Sequence, residues 1–332
     1  MKPVGIAISG GLTASEIVRA AQLAESLEYE SVWVAEGHGG DQFAILAACA
    51  MATSRVRLGT SITSIFVRSA PTIAMAAASI DDLSQGRFIL GVGSSHKVQV
   101  EPEHGVTYGK PMQRTRETVA IIRALIADGV VEHHGETINI ENFDLWFEPH
   151  RRHIPIYVSA VFPKMTELCG EISDGIILTR STLSTAPEVR ERLHAGATRA
   201  GRDANKIAVT SLLPTSVGEN RAQALARMRP GLAFYAGFFP RYNQLIANHG
   251  FVEEAARVRE AWLAGDRERA EAAVTDAMID ATSVAGTPEQ CQLRIEAYRD
   301  SGIELPIISP FARGPGAYDV FERAIRACAP TE

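Results

Sequence analysis

The chain has 332 residues, 46% of them hydrophobic and 22% charged, a globular balance that excludes a disordered or fibrous protein. A formal net charge of −6 leaves no excess of cations to neutralise a phosphate backbone, which argues against extended nucleic-acid binding and leaves small molecules as the expected partners. No stretch approaches the roughly 18 apolar residues that cross a bilayer, and the N-terminal apolar run is too short for a signal peptide, so a cytoplasmic protein without a membrane span is expected. The four cysteines, Cys49, Cys169, Cys291 and Cys328, form no CxxC pair and read as buried thiols in a reducing compartment.

Along the chain, short β-branched runs alternate with Ala-rich stretches of helical spacing. Residues 4–9 form the first run. Thr13 and Glu16 then make a capping box ahead of Ile17, Ala20, Ala24 and Leu27, which share one helical face. Runs at 31–35, 56–62 and 87–92 follow. Residues 130–147, with Gly135 between two β-rich arms, read as a hairpin inserted before a fifth run at 154–159. Runs at 175–179 and 207–213 precede residues 219–280, a mostly helical insertion with a break near Pro240, placed to form a lid over a barrel mouth. Thr287, Pro288 and Gln290 repeat the capping device, Cys291, Ile295 and Tyr298 form a stripe, Gly302 stops the helix, and 305–309 is the eighth run. Near-continuous apolar strands separated by helices predict a parallel sheet covered on both sides. Eight of them predict one domain, 1–332, folded as a (β/α)8 barrel with a hairpin before strand five and a helical insertion after strand seven.

Barrels of this kind carry their sites in the loops that follow the strands. Those loops are Ser9-Gly10-Gly11, Glu36-Gly37-His38-Gly39-Gly40-Asp41, Ser61-Ile62-Thr63-Ser64 and Gly93-Ser94-Ser95-His96-Lys97, a collection that taken together is small, polar and glycine-rich. Such loops let backbone N–H groups approach an anion, and residues 159–164, with Pro163 near a helix start and Lys164 adding charge, read as a phosphate cradle. His38 and His96 stand at strand ends where a group titrating near neutrality suits proton transfer, and Glu36 suits a hydrogen bond to a ring or hydroxyl; capping a helix or bonding a neighbouring loop is the alternative role for each. His133, His134, His150 and His153 do not read as a metal site, because adjacent strand residues point to opposite faces and the stretch precedes strand five, away from the mouth. There is no GxSxG elbow, and Gly91-Val92-Gly93 lacks the third glycine of a dinucleotide fingerprint.

The run LGTSITSIFVRSAP at 58–71, together with DDLSQGRFILGVG at 81–93, resembles the bacterial luciferase-like family of flavin and deazaflavin oxidoreductases. GEISDG at 170–175 and SVAGTPEQ at 283–290 are similar to its methylenetetrahydromethanopterin reductase branch, so the resemblance spans nearly the whole chain. It implies a (β/α)8 barrel, a homodimer and, in this branch, the 8-hydroxy-5-deazaflavin coenzyme F-420, which exchanges a hydride at C5 with an organic, pterin-like substrate. The monooxygenase branch implies FMN instead. Residue by residue, the resemblance implies a non-prolyl cis peptide at Ser61-Ile62 beneath the deazaflavin ring and an acidic ring contact at Glu36. It also implies coenzyme contacts at Ser94 and Ser95 and a phosphate-side loop at Val161, Phe162, Lys164 and Met165. With Ser9, Ser64 and Gly93 from the strand-end loops, these make up the expected coenzyme site, and no metal is expected. Three positions depart from the pattern: Gly37 stands where sugar-phosphate dehydrogenases of the family have histidine, His96 where relatives have an acid, and Ala7 where the pterin reductases have one. The expected activity is therefore F-420-dependent hydride transfer, with Glu36 positioning the ring and His38 or His96 moving a proton. The alternatives are an FMN-dependent monooxygenase and a coenzyme-binding protein without catalysis.

Overall fold

Strands that are apolar on both faces need helices outside and side chains within, and a closed barrel supplies both. The computed structural model describes residues 2–331. Its barrel strands are β1 (Gly5–Ile8), β2 (Ser31–Val34), β3 (Arg57–Thr60), β4 (Phe88–Gly93), β5 (Ile156–Ser159), β6 (Gly175–Thr179), β7 (Ala208–Val217) and β8 (Leu305–Pro310). Each pairs in parallel with the next, and β8 pairs back onto β1 through Gly5↔Ile307 and Ile6↔Ile308, so the eight strands close. The eight expected runs are these strands, shifted by a residue or two at their ends, except that β7 runs four residues past the expected 213.

Closure leaves an interior that must be filled. Ala7, Trp33, Ile89, Tyr157, Ile177, Leu305 and Ile307 fill it, with Ile62 packed on the same cluster. Trp33 fits only because its neighbour on β3 is Gly59, where a Cβ would stand 2.3 Å from the indole. Both capping boxes form, at Thr13/Glu16 and Thr287/Gln290, and Cys291, Ile295 and Tyr298 are fully buried.

Two departures from the barrel plan appear where the sequence places them. The insertion comprises helices Arg221–Phe238, Pro240–Asn248, Val252–Leu263, Arg267–Ala272 and Asp276–Thr282, which gather around their own core of Leu232, Ala236, Ile246, Val258 and Met278. The first two helices break at Phe239-Pro240, as the proline predicts. The end of the insertion differs from the reading of the sequence: β7 runs to Val217, and Val284–Gly286 returns as a short parallel strand beside its tail. The insertion thus leaves and re-enters the barrel at one point, since Thr215 pairs with Val284 and Val217 with Gly286.

The hairpin pairs Val130–His134 with Asn139–Asp144, and its turn is held by Glu117 on helix Pro111–Asp128. That carboxylate accepts from the N–H groups of Glu136 (2.8 Å), Thr137 (3.0 Å) and Ile138 (2.8 Å), from the Thr137 hydroxyl (2.5 Å) and from Gln113 (2.7 Å). Desolvation pushes its pKa upward, but these donors outweigh it and hold the pKa at about 2, against an ordinary 4.5. A carboxylate with a depressed folded pKa contributes stability that is present above pH 4.5 and is lost as pH falls from there toward 2. E117Q is therefore expected to cost about 1–3 kcal/mol at pH 7 in urea unfolding, with the gap to the wild type narrowing through that acid window.

Candidate active site at the barrel mouth

The mouth is organised by a bulge at the end of β3. Gly59 pairs with Ile89, and four residues on Thr63 pairs with Val92, three residues beyond Ile89, so β3 carries one extra residue. The Ser61-Ile62 peptide within this stretch is cis. Thr60 repairs the interrupted ladder with its side chain: its Oγ1 donates to Gly91 O at 2.7 Å and accepts from Gly91 N at 2.8 Å. A Cβ on Gly91 would lie 1.9 Å from Thr60 O, so the GVG of the motif serves this close approach of two strands.

Glu36, following β2, holds the bulge from beside it. One carboxylate oxygen accepts from Ser64 N (2.8 Å) and the Thr63 hydroxyl (3.1 Å), and the other from Arg68 Nε (2.5 Å). Arg68 reaches on to Asp41 at 2.6 Å, and Asp41 caps helix Gln42–Ala52 through Ala44 N. One chain of charge thus ties the loop after β2 to the loop after β3. Ser61 Oγ, in the middle of the bulge, is buried and has no partner among the described residues.

His96 ends the loop after β4 and precedes helix Lys97–His104 without making a capping bond. Its ring packs against Phe239 (4.6 Å between centroids) and Tyr242 (5.0 Å) of the insertion, so the insertion does cover the mouth on this side. Burial, with the Arg241 charge as a second cause, pushes the His96 pKa down to about 4, and the ring is neutral at pH 7. His38 differs: it is exposed at the rim, with Nε2 3.3 Å from Glu103 at the other end of helix Lys97–His104.

The remaining expected residues are spread around the same end of the barrel. Ser9 is exposed beyond β1, and the glycines after it serve packing in part, since a Cβ on Gly11 would meet Ala312 O at 1.8 Å. Gly93 and Ser64 are paired across the bulge. Ser94 and Ser95 are half-buried, and Ser95 has φ +54°. Val161, Phe162 and Met165 are half-buried around the start of helix Pro163–Ile172, with Lys164 exposed, and no side chain caps that start. Arg241 of the insertion stands over the Phe162 ring at 4.8 Å and so bridges this loop to His96. The four histidines set aside in the sequence do not converge: His133, His134, His150 and His153 lie near Glu117, Glu132, Asp82 and Asp174 respectively. Sequence reasoning missed Arg68, Arg241 and the aromatic roof. The density of Phe234, Tyr235, Phe238, Phe239 and Tyr242 within nine residues was the available signal.

A closed parallel barrel with glycine-rich, polar loops at its C-terminal mouth and a bulged third strand defines an enzyme scaffold of the luciferase-like class. The chain belongs to the luciferase-like monooxygenase family, whose model matches residues 3–305. It is 31% identical to the 5,10-methylenetetrahydromethanopterin reductase of Methanolobus tindarius over 87% of this chain and 88% of that protein. It is likewise 31% identical to the enzyme of the same name from Archaeoglobus fulgidus, over 85% of each. The structure is similar to that of the coenzyme F-420 dependent tetrahydromethanopterin reductase of Methanopyrus kandleri, with a TM-score of 0.85, 24% identity and 98% of each chain covered.

Two outcomes follow from the geometry. E36A removes the acceptor of the Ser64 amide, and hydrogen exchange at that amide is expected to speed up by about tenfold or more while the barrel strands stay protected. An NMR titration of the His96 ring is expected to show a midpoint near 4, well below the ordinary 6.5. The ring's reluctance to charge when folded makes it a destabilising group as pH falls from 6.5 toward 4.

Proposed function

We propose that this protein is an oxidoreductase that binds coenzyme F-420 at the barrel mouth and exchanges a hydride between it and a small organic substrate. The observation that carries the reading is the bulge itself, with a buried, unpaired Ser61 hydroxyl on a strand held rigid by Glu36. A buried hydroxyl left without a partner is costly, and a ligand ring edge lying over the bulge would satisfy it. The residues that would hold the coenzyme are Ser61 and Ile62 beneath its ring, with Ser9, Ser64, Gly93, Ser94 and Ser95 around it. Val161, Phe162, Lys164 and Met165 would take its phosphate side, because an uncapped helix start leaves its first amides free for an anion.

F-420 bound there supplies the hydride at its C5 carbon; the protein supplies position and exclusion of water. Glu36 acts through the bulge, since its oxygens are already engaged by Ser64, Thr63 and Arg68. His96, neutral and walled in by Phe239 and Tyr242, is only a weak base at pH 7, because burial disfavours the imidazolium it would become. His38, at the exposed rim, is placed to exchange protons with water. The relatives named as pterin reductases make a pterin-like molecule the first substrate to assay. The same reading carries a homodimer and a cytoplasmic setting.

Titration with oxidised F-420 and, separately, FMN tests the assignment through ligand absorbance or fluorescence. F-420 is expected to bind at least about tenfold more tightly, a difference of about 1.4 kcal/mol, and turnover with a reducible substrate should follow. Tighter FMN binding with oxygen consumption would instead make the protein a monooxygenase. Tight F-420 binding without turnover across a substrate panel would make it a binding protein, in line with Ala7 and Gly37, and binding of neither coenzyme would overturn the proposal.

A further inference from the structure

Arg180 follows β6 directly, at the mouth, with a φ of +51° that non-glycine residues seldom adopt. Side chains from two other elements grip this stretch: His249 Nε2 of the insertion lies 3.1 Å from the Arg180 carbonyl oxygen, and the Tyr298 hydroxyl donates to Ser181 O at 2.7 Å. The backbone is thereby fixed in the conformation that sends the arginine beneath the insertion, where the residue is only 4% exposed. Its guanidinium lies over the Tyr235 ring, with Cζ 4.2 Å from the centroid.

Among the described residues, no carboxylate pairs with this guanidinium, and it donates no hydrogen bond; Nη1 is fully buried and has no partner. The other arginines with an unpaired nitrogen differ, because Arg192, Arg294 and Arg299 each donate elsewhere to a carboxylate or a carbonyl. Tyr242, the other group near the charge, does not compensate it, since burial pushes its pKa up and keeps the hydroxyl neutral. The contact with the Tyr235 ring uses none of the guanidinium's N–H donors and leaves them for a bidentate acceptor. A desolvated cation with no counter-charge is tolerated where a ligand brings the anion.

The surroundings place that ligand. Tyr235 and Tyr242 are 5.0 Å apart, and Tyr242 is 5.0 Å from His96, so one aromatic wall runs from Arg180 to the end of β4. The uncapped helix start with exposed Lys164 offers a separate, solvent-facing place for a coenzyme phosphate, and the buried charge is left for the other reactant.

We propose that Arg180 is the receptor for an oxyanion of the substrate, a carboxylate or a phosphate, bound edge-on beneath the helical insertion. This rests on the hydride-transfer reading for the presence of a substrate at the mouth, and it narrows that substrate to an anionic organic molecule.

Thermal unfolding of the purified protein with inorganic phosphate, and separately with acetate, tests it at an ionic strength held constant with chloride. One of the two anions is expected to raise the wild-type midpoint saturably, and R180M is expected to lose that response. A phosphate response assigns a phosphate ester, and an acetate response a carboxylate. R180K, which keeps the charge but not the planar fork, is expected to bind the same anion about tenfold or more weakly. It carries the test alone if R180M does not fold. The dissociation constant of F-420 is expected to stay within about twofold in R180M, as for independent sites. No saturable response in the wild type would overturn the proposal, as would an equal response in R180M or an unchanged affinity in R180K. A parallel loss of F-420 affinity in R180M would reassign the arginine to the coenzyme's own anionic tail and overturn the substrate assignment. Wild-type protein that responds to the anion but binds no F-420 would retain Arg180 as an anion receptor and locate the failure in the coenzyme reading.

Discussion

Eight parallel strands closed on themselves leave an interior that only side chains can fill, and this constraint governs everything at the mouth. Trp33, Tyr157 and Ile307 occupy the bore, so the barrel is solid and a ligand must sit on top of it. Ile62, packed on that plug from the bulge, joins the interior to the floor of the site. The constraint also explains glycines that look functional in the sequence. Gly59 makes room for an indole and Gly91 for a backbone carbonyl, and both positions fall inside the stretches that carry the family resemblance.

Those stretches therefore have two kinds of content. Arg87 of the second motif makes five hydrogen bonds, to Ser84, Ala50, Val56 and both the hydroxyl and carbonyl of Thr53, and ties the ends of two helices to the start of β3. Arg151 pairs with Asp81 through two nitrogens and also donates to Phe88 O. These groups fix the strands at the end opposite the mouth. At the other end of the same strands, Thr63 and Ser64 are held by Glu36, and the Ser61 hydroxyl is buried without a partner among the described residues. A single motif thus carries scaffold and site together, because one strand has both ends.

The insertion supplies what the barrel loops lack. It has its own core, is anchored on β7 by three paired residues, and brings Phe239, Tyr242 and Arg241 over loops from β4 and β5. Its aromatic wall changes the electrostatics beneath it: His96 is neutral and Arg180 is desolvated. A neutral imidazole and an unpaired guanidinium on one wall suit a polar, oriented substrate, whereas the redox step itself belongs to a coenzyme.

The sequence by itself determined the barrel, the hairpin, the helical insertion, both capping boxes and the placement of the small polar loops at strand ends. These depend on residues within one strand, one helical turn or one cap, and such patterns are written contiguously. It pointed to Glu36, Ser61-Ile62 and His96 as well, but not to what each does. Only the tertiary structure decided that Glu36 is engaged by Arg68, thirty-two residues away, that His38 turns to Glu103 at the rim, and that His96 loses its charge under Phe239 and Tyr242. It alone showed that, among the described residues, no carboxylate pairs with the Arg180 guanidinium. Charge state and pairing depend on which groups share a low-dielectric space, and closure of the barrel beneath a folded insertion creates that space from residues that no local pattern connects.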